Sequence, residues 1–342
     1  MTQTMLAGRL HLADQSLRME EVPVPVPGTG HVLVKVEAAG VCLSDVHAIQ
    51  GSLKPLHLEG DTVTLGHEVA GVIAELGPDV TDWAVGERVL LLSGQLRDGI
   101  AVTRGLDYDG GWAQYTLAKA TTLVRIPDDL PFEQACFVPD AVSTPWAAIT
   151  QTAAIRPAEA TGVWGAGGLG VHGIQLLRLV GAAPIIAVDP LPAARDRALA
   201  SGADLALDPA DPALLDQVLK VTDGRGLDAA LDFAGHPAVR EQAMAALADG
   251  TLTPGGRLVL VGLTNQPVTI ADGTAFSAGK KQLLGHWGSI PAHIHELVRL
   301  IRDHRLDLTH SVSAVLPLSE APRAVEQLES KAGNPVRLVL KP

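Results

Sequence analysis

The chain has 342 residues, 47% of them apolar, with 26 basic against 38 acidic side chains and a net charge of −12. That length favours two domains, each with a core of its own. The acidic balance excludes a duplex-binding surface or an anionic-membrane face, since both need clustered lysine and arginine. It leaves room for a phosphate-bearing cofactor held at a helix N-terminus. Only two cysteines occur, Cys42 and Cys136, and Met1 to Leu17 lacks the basic-then-apolar pattern of an export signal. A reducing, cytoplasmic setting without disulfides is therefore expected.

In chain order, the first 150 residues read as mostly β. Pro23, Pro25 and Pro27 mark an extended connection. Val32–Glu37 alternates and is rich in valine, Val69–Leu76 is a second β-like run, and Arg88–Leu92 is a third after the turn Val85-Gly86-Glu87. Ser93 to Gly111 has no periodicity and reads as a long loop, a length that is usually functional or disordered. From about Ala147 the pattern changes to alternation. Strand-like runs at Thr161–Val163, Pro184–Val188, Asp228–Phe233 and Arg257–Val261 are separated by helical ones at Leu169–Val180, Ala193–Ser201, Ala213–Val221 and Ala238–Leu247. Such alternation predicts a doubly wound parallel sheet. A helix over Ala292–His304 and a strand over Val336–Lys341 close the chain. The apolar stretch Gly162–Val188 carries His172, Arg178 and many glycines, so it reads as a buried strand-helix-strand unit and not as a membrane span.

Gly165-Ala166-Gly167-Gly168-Leu169-Gly170 follows the strand Thr161–Val163 and opens a helix, which is the context a dinucleotide-binding loop requires. Gly165 permits the tight turn, Gly167 lets the backbone approach a pyrophosphate, and Gly170 lets helix and strand pack closely. The next strand ends in Asp189, about 20 residues on, where a carboxylate accepts from the adenosine ribose and repels a 2′-phosphate. NAD is expected over NADP, with nearby Arg195 as the one cation that could reach such a phosphate.

Two phrases carry residues of another kind: Cys42-Leu43-Ser44-Asp45-Val46-His47 and Gly66-His67-Glu68. Thiolate, imidazole and carboxylate are zinc ligands, and three protein ligands leave a fourth position open for chemistry. Ser44 and His47 lie close to the first of them, where a proton could be passed along.

These phrases, with Val85-Gly86-Glu87-Arg88-Val89, Asp109-Gly110-Gly111-Trp112-Ala113 and the glycine loop, make the chain resemble the zinc-dependent alcohol dehydrogenases of the medium-chain dehydrogenase/reductase family over essentially its whole length. The resemblance implies an α/β protein: a GroES-like β-rich catalytic domain at 1–148, to which 290–342 returns, and a Rossmann coenzyme domain at 149–289. It implies that Cys42 and His67 hold a catalytic zinc. The third ligand is Asp140 in Pro139-Asp140-Ala141, preferred over Cys136 four residues earlier. Glu68 is expected beside the metal, Asp45 behind the His67 imidazole, and Arg337 at the cofactor phosphates, although a surface arginine serves equally there. Taken singly, Cys42 fits a small buried hydrophobe, His67 a core histidine, Asp140 a helix cap and Ser44 a capping hydroxyl. Taken together, they match one family pattern.

Many members of that family carry four closely spaced cysteines for a structural zinc. Here 93–111 contains neither cysteine nor histidine, so one zinc per chain is expected. The implied reaction is hydride transfer between NAD(H) and a small alcohol or carbonyl compound, with Ser44 and His47 as a proton relay. Secondary or medium-chain aliphatic alcohols are favoured, and Trp112, Trp146 and Trp287 are candidate apolar walls that equally suit a core. Two alternatives stay open: a polyol or sugar dehydrogenase, and a non-catalytic NAD-binding relative. No nucleic-acid or membrane partner is expected, and the family implies a homodimer or homotetramer.

Overall fold

The computed structural model describes residues 3–342. The chain forms two compact units, Met1–Asp140 with Pro291–Pro342, and Ala141–Ile290. The first boundary therefore falls at 140, eight residues before the expected 148.

The first unit is built on two sheets, antiparallel except where Val312–Pro317 runs parallel to Arg337–Lys341. A three-stranded sheet places Thr4–His11 between Ser16–Pro23 and Thr62–Thr64. A seven-stranded sheet runs Leu123–Arg125, Arg88–Leu91, Val69–Leu76, His31–Val41, Arg337–Lys341, Val312–Pro317, with Tyr115–Lys119 also paired to His31–Val41. The long strand His31–Val41 can serve three partners because the sheet bends at bulges between Leu33 and Val34 and between Val36 and Ala38. The final strand pairs Leu338 with Val41 and Leu340 with Ala39, so the C-terminal segment completes this unit. Val34, Leu65, Ile73, Leu91 and Trp112 lie fully buried in one core.

The expected loop at 93–111 is instead largely ordered as a hairpin of Gly94–Arg97 and Ile100–Thr103. The alternating pattern is too short to reveal it, and its stability comes from tertiary bonds. The buried Asp107 accepts from the backbone N–H groups of Leu56 and His57, each at 2.9 Å, and of Thr103 at 2.8 Å. The fully buried Arg104 donates to the Leu117 carbonyl at 3.0 Å.

The second unit is a six-stranded parallel sheet in the order Leu205–Leu207, Ile185–Val188, Thr161–Trp164, Ala229–Asp232, Arg257–Leu260, Gln282–Gly285. In unit numbering that is 3-2-1-4-5-6, the Rossmann order. The three central strands, Ile185–Val188, Thr161–Trp164 and Ala229–Asp232, are buried along their whole length because both faces are covered. The strand order reverses between Thr161–Trp164 and Ala229–Asp232, and ligands bind at the carboxyl ends of strands beside such a switch. The glycine loop occupies that position. Its helix, Gly170–Val180, ends at Gly181 in the left-handed region with φ 84°. Among the described residues no helix is long and apolar enough to cross a membrane.

Candidate metal centre and dinucleotide loop

Cys42 follows the strand His31–Val41 and is the N-cap of the helix Leu43–Ile49, with an extended backbone at φ −114°. The Asp45 carboxylate closes this cap by accepting the Cys42 N–H at 2.9 Å through Oδ2. Its other oxygen, Oδ1, stands 3.5 Å from His67 Nδ1. His67 and Glu68 immediately precede the strand Val69–Leu76. Asp140 arrives from a hundred residues away on a five-residue π-helical turn, Val138–Val142, an irregularity found disproportionately at functional sites.

These elements bring the donor atoms together. Cys42 Sγ lies 3.5 Å from Asp140 Oδ2, and His67 Nε2 also lies 3.5 Å from Asp140 Oδ2. Ligand atoms of Cys42, His67, Glu68 and Asp140 all fall within 4.8 Å of one another. A tetrahedral zinc with ligands at about 2.0–2.3 Å requires sulfur, nitrogen and oxygen donors roughly 3.3–3.5 Å apart. The observed separations meet that requirement. The sulfur donor disfavours magnesium and calcium, which take oxygen ligands.

Charge supports the same reading. Glu68 and Asp140 share a single guanidinium, that of Arg337, and Asp45 faces His67, so acidic side chains gather where a divalent cation would sit. Burial works against a charged His67, yet the carboxylates of Asp45 and Asp140 outweigh it and raise its pKa well above the usual imidazole value. Burial pushes Glu68 up to about 8; Arg337 draws it down and Asp140 adds to the rise. Cys136, the alternative ligand, is fully buried and lies outside this cluster, and burial raises its thiol pKa well above the usual range.

In the second unit, Gly165 sits at φ +91°, and a Cβ on Gly170 would come within 1.8 Å of the Gly165 carbonyl oxygen, so only glycine lets the helix start this close to the strand. Leu169 is the N-cap of that helix. Around Gly167 a Cβ would meet nothing, which leaves the backbone open for a ligand. The Asp189 carboxylate accepts from Ala166 N–H and from Leu191 N–H, both at 2.9 Å, fastening the loop to the strand end.

Comparison with known proteins agrees with this architecture. Residues 28–128 match the family model described as the alcohol dehydrogenase GroES-like domain, and residues 168–303 match that of the zinc-binding dehydrogenases. L-threonine 3-dehydrogenase of Thermococcus kodakarensis is 33% identical over 271 residues, 73% of each chain. The chain belongs to the zinc-dependent medium-chain dehydrogenases/reductases. The crystal structure of the alcohol dehydrogenase from Aeropyrum pernix superposes with a TM-score of 0.87 at 28% identity, covering 98% of this chain and 100% of that one. Acetophenone reductase of Geotrichum candidum, solved with NAD, gives 0.86 at 26% identity over 100% and 98%.

As a member of this family the chain is an enzyme, a zinc- and nicotinamide-dependent oxidoreductase of small alcohol or carbonyl compounds. Ser44 Oγ lies 3.6 Å from Cys42 Sγ, and His47 follows it three residues later on the same helix face, half-buried. Arg337, expected at the cofactor phosphates or on the surface, is not a surface residue: it is 2% exposed and its Nη2 stands 2.9 Å from Glu68 Oε1 and 3.7 Å from Asp140 Oδ2. As the first residue of the C-terminal strand it points into the metal cluster, where burial alone would cost too much without a carboxylate partner. Trp112 is fully buried and donates from Nε1 to the Gly40 carbonyl at 3.0 Å, so it is core, while Trp287 is largely exposed.

Two residues that brace the glycine loop were not read from the sequence. His172 Nδ1 donates to the Gly168 carbonyl at 2.7 Å, and Arg197 donates to the Ala166 carbonyl at 2.9 Å. The spacing of His172, four residues after Gly168 on a helix, is the signal that could have found it.

Proposed function

We propose that the enzyme oxidises secondary or medium-chain aliphatic alcohols, and reduces the matching ketones, with NAD(H) and one zinc per chain. The observation that carries this reading is the convergence of Cys42 Sγ and His67 Nε2 on Asp140 Oδ2, each at 3.5 Å, in the first unit. Those three atoms would hold a zinc ion, which would supply Lewis acidity toward an alcohol or carbonyl oxygen, and the glycine loop would hold NAD, which would supply the hydride chemistry. The protein's own part is to hold and move a proton. Ser44, beside Cys42, takes the proton leaving the substrate hydroxyl, and His47 one turn along the helix receives it at the half-exposed end. Half-burial lowers the His47 pKa below its usual value, so the imidazole is neutral at pH 7 and able to accept. Asp45 holds the His67 ring by Nδ1, which leaves Nε2 for the metal. Glu68, with no hydrogen-bond partner for either oxygen and paired in charge to Arg337, stands ready behind the ligands.

NAD over NADP is supported by the surroundings of Asp189. Arg195, a cation that could welcome a 2′-phosphate, has Nη1 engaged with the carbonyls of Asp189 and Pro190 at 2.8 and 2.9 Å and with Asp208 at 3.0 Å, and Arg197 Nη2 is engaged with the Ala166 carbonyl at 2.9 Å. A carboxylate accepts about four hydrogen bonds, so Asp189 keeps capacity for ribose hydroxyls after serving Ala166 and Leu191. A single zinc is supported by the hairpin at 94–103, which Asp107 and Arg104 hold in place of a metal. Secondary alcohols are supported by two relatives: one is named for the 3-position of L-threonine and the other for acetophenone. The threonine relative also favours a second reading, a hydroxy-amino-acid or polyol dehydrogenase. We place the enzyme as a homodimer or homotetramer in the cytoplasm; both cysteines are free and buried, as a reducing compartment permits.

The test is nicotinamide absorbance with 2-butanol, 1-phenylethanol, L-threonine and sorbitol, each with NAD and NADP, alongside elemental analysis. The proposal expects kcat/KM highest for a simple secondary alcohol with NAD, and one zinc per chain. Dominance of threonine or sorbitol installs the second reading, and active, metal-free protein rejects both.

A further inference from the structure

A cleft of about 650 Å³ opens in the first unit between its two sheets, lined by none of the metal-centre residues. We propose that this cleft is a second ligand site, built for a small aromatic dicarboxylate. One wall is the three-stranded sheet, which presents Arg9, His11 and Glu20. The other is the strand Tyr115–Lys119, whose alternate residues Tyr115, Leu117 and Lys119 face the cleft, extended by Gln95 and Arg97 of the hairpin. Arg104, Tyr108 and Asp109 also line it.

The volume lies within the range of small-molecule sites. The lining is cationic in a protein of net charge −12: Arg9, Arg97, Arg104 and Lys119 face only Glu20 and Asp109, an excess of two. That excess selects a dianion, and guanidinium forks favour carboxylates geometrically. Glu20 is already paired with His11 at 2.8 Å and with Arg9 at 3.8 Å, so the carboxylates present serve the first wall and leave Lys119 and Arg97 on the second under-compensated. The nearest acid to Arg97 is the nearly fully exposed Glu59, at 3.9 Å. Three buried polar atoms of lining side chains, Gln95 Oε1, Arg104 Nη2 and Tyr108 Oη, also have no hydrogen-bond partner in the protein. Native structures leave few such atoms, and their gathering along one cleft marks a place where a polar ligand belongs. The rings of Tyr108 and Tyr115, with Met5, Val22 and Leu117, give the flat apolar surface that an aromatic body needs.

The chain contains only two tyrosines, and both line this cleft. Fluorine NMR of zinc-loaded, NAD-saturated enzyme labelled with 3-fluorotyrosine therefore reports on it alone. Isophthalate is the probe, with benzoate as the monoanion control. Both resonances should shift saturably with isophthalate, benzoate should bind more weakly, and Arg97→Ala/Lys119→Ala should weaken isophthalate at least tenfold. Arg97→Lys/Lys119→Arg, which keeps both charges on these rim positions, should restore it. Absence of any shift at millimolar isophthalate overturns the proposal, as does binding unchanged in the alanine variant. Shifts that follow protein concentration instead of isophthalate overturn it too, because the cleft is then covered by a second copy of the chain.

Discussion

Asp45 serves two elements at once, capping the helix that starts at Cys42 with one oxygen and steering His67 with the other. On the same helix, Ser44→Ala should lower alcohol turnover by about 10²–10⁴-fold, the usual weight of a positioned proton-transfer group, with zinc content unchanged. Steady-state kinetics beside elemental analysis checks this, and normal turnover removes Ser44 from the proton path. His47→Gln should cost less, because water can replace it. His47 accepts protons only when neutral, so wild-type oxidation should fall as pH drops through its lowered pKa, and the variant should flatten that acid limb. Arg337 is buried against Glu68. Arg337→Ala strands a buried Glu68 and should destabilise the first unit by about 3–5 kcal/mol in chemical denaturation. The double variant Glu68→Gln/Arg337→Gln should recover much of that loss; failure to recover would show that the two charges are not energetically paired.

Long, strongly patterned elements announced themselves in the sequence, and short ones did not. The strand Val69–Leu76 and four of the five helices between the parallel strands fall within a residue or two of where periodicity puts them, because apolar spacing is dictated by the face each must bury. The hairpin at 94–103 escaped, having four-residue strands with exposed tips and no apolar face of its own. Its order is borrowed from Asp107, which ties the N–H of the hairpin's own Thr103 to those of the distant segment Leu56-His57. Asp107→Ala leaves those N–H groups without an acceptor, each at a cost of about 1–3 kcal/mol where it stays buried. Amide exchange across 94–103 should rise at least about tenfold while exchange in the parallel sheet stays unchanged. Equal rates in the variant would mean that Arg104 alone is sufficient.

The whole molecule separates its two ligands between its two units. All the metal donors lie in Met1–Asp140 with Pro291–Pro342, and the glycine loop lies in Ala141–Ile290. A ligand stabilises only the unit that binds it, by about 2.7 kcal/mol when present at a hundred times its dissociation constant. Chelation should therefore abolish activity and lower the calorimetric transition of the first unit, while NAD should raise that of the second. Movement of a single shared transition by both would show that the units melt as one. The sequence by itself determined the chemistry-bearing side chains and the class of each unit, since ligand type, glycine placement and apolar period are local properties written at fixed spacings. The convergence of Cys42, His67 and Asp140 was readable only through resemblance, because nothing local states that residues a hundred positions apart will meet. Only the tertiary structure decided where Arg337 points, what holds the cysteine-free hairpin, and that a cationic cleft lies between the two sheets. Each depends on which distant backbone lies opposite, and burial of charge is settled by that neighbour and not by the residue's own identity.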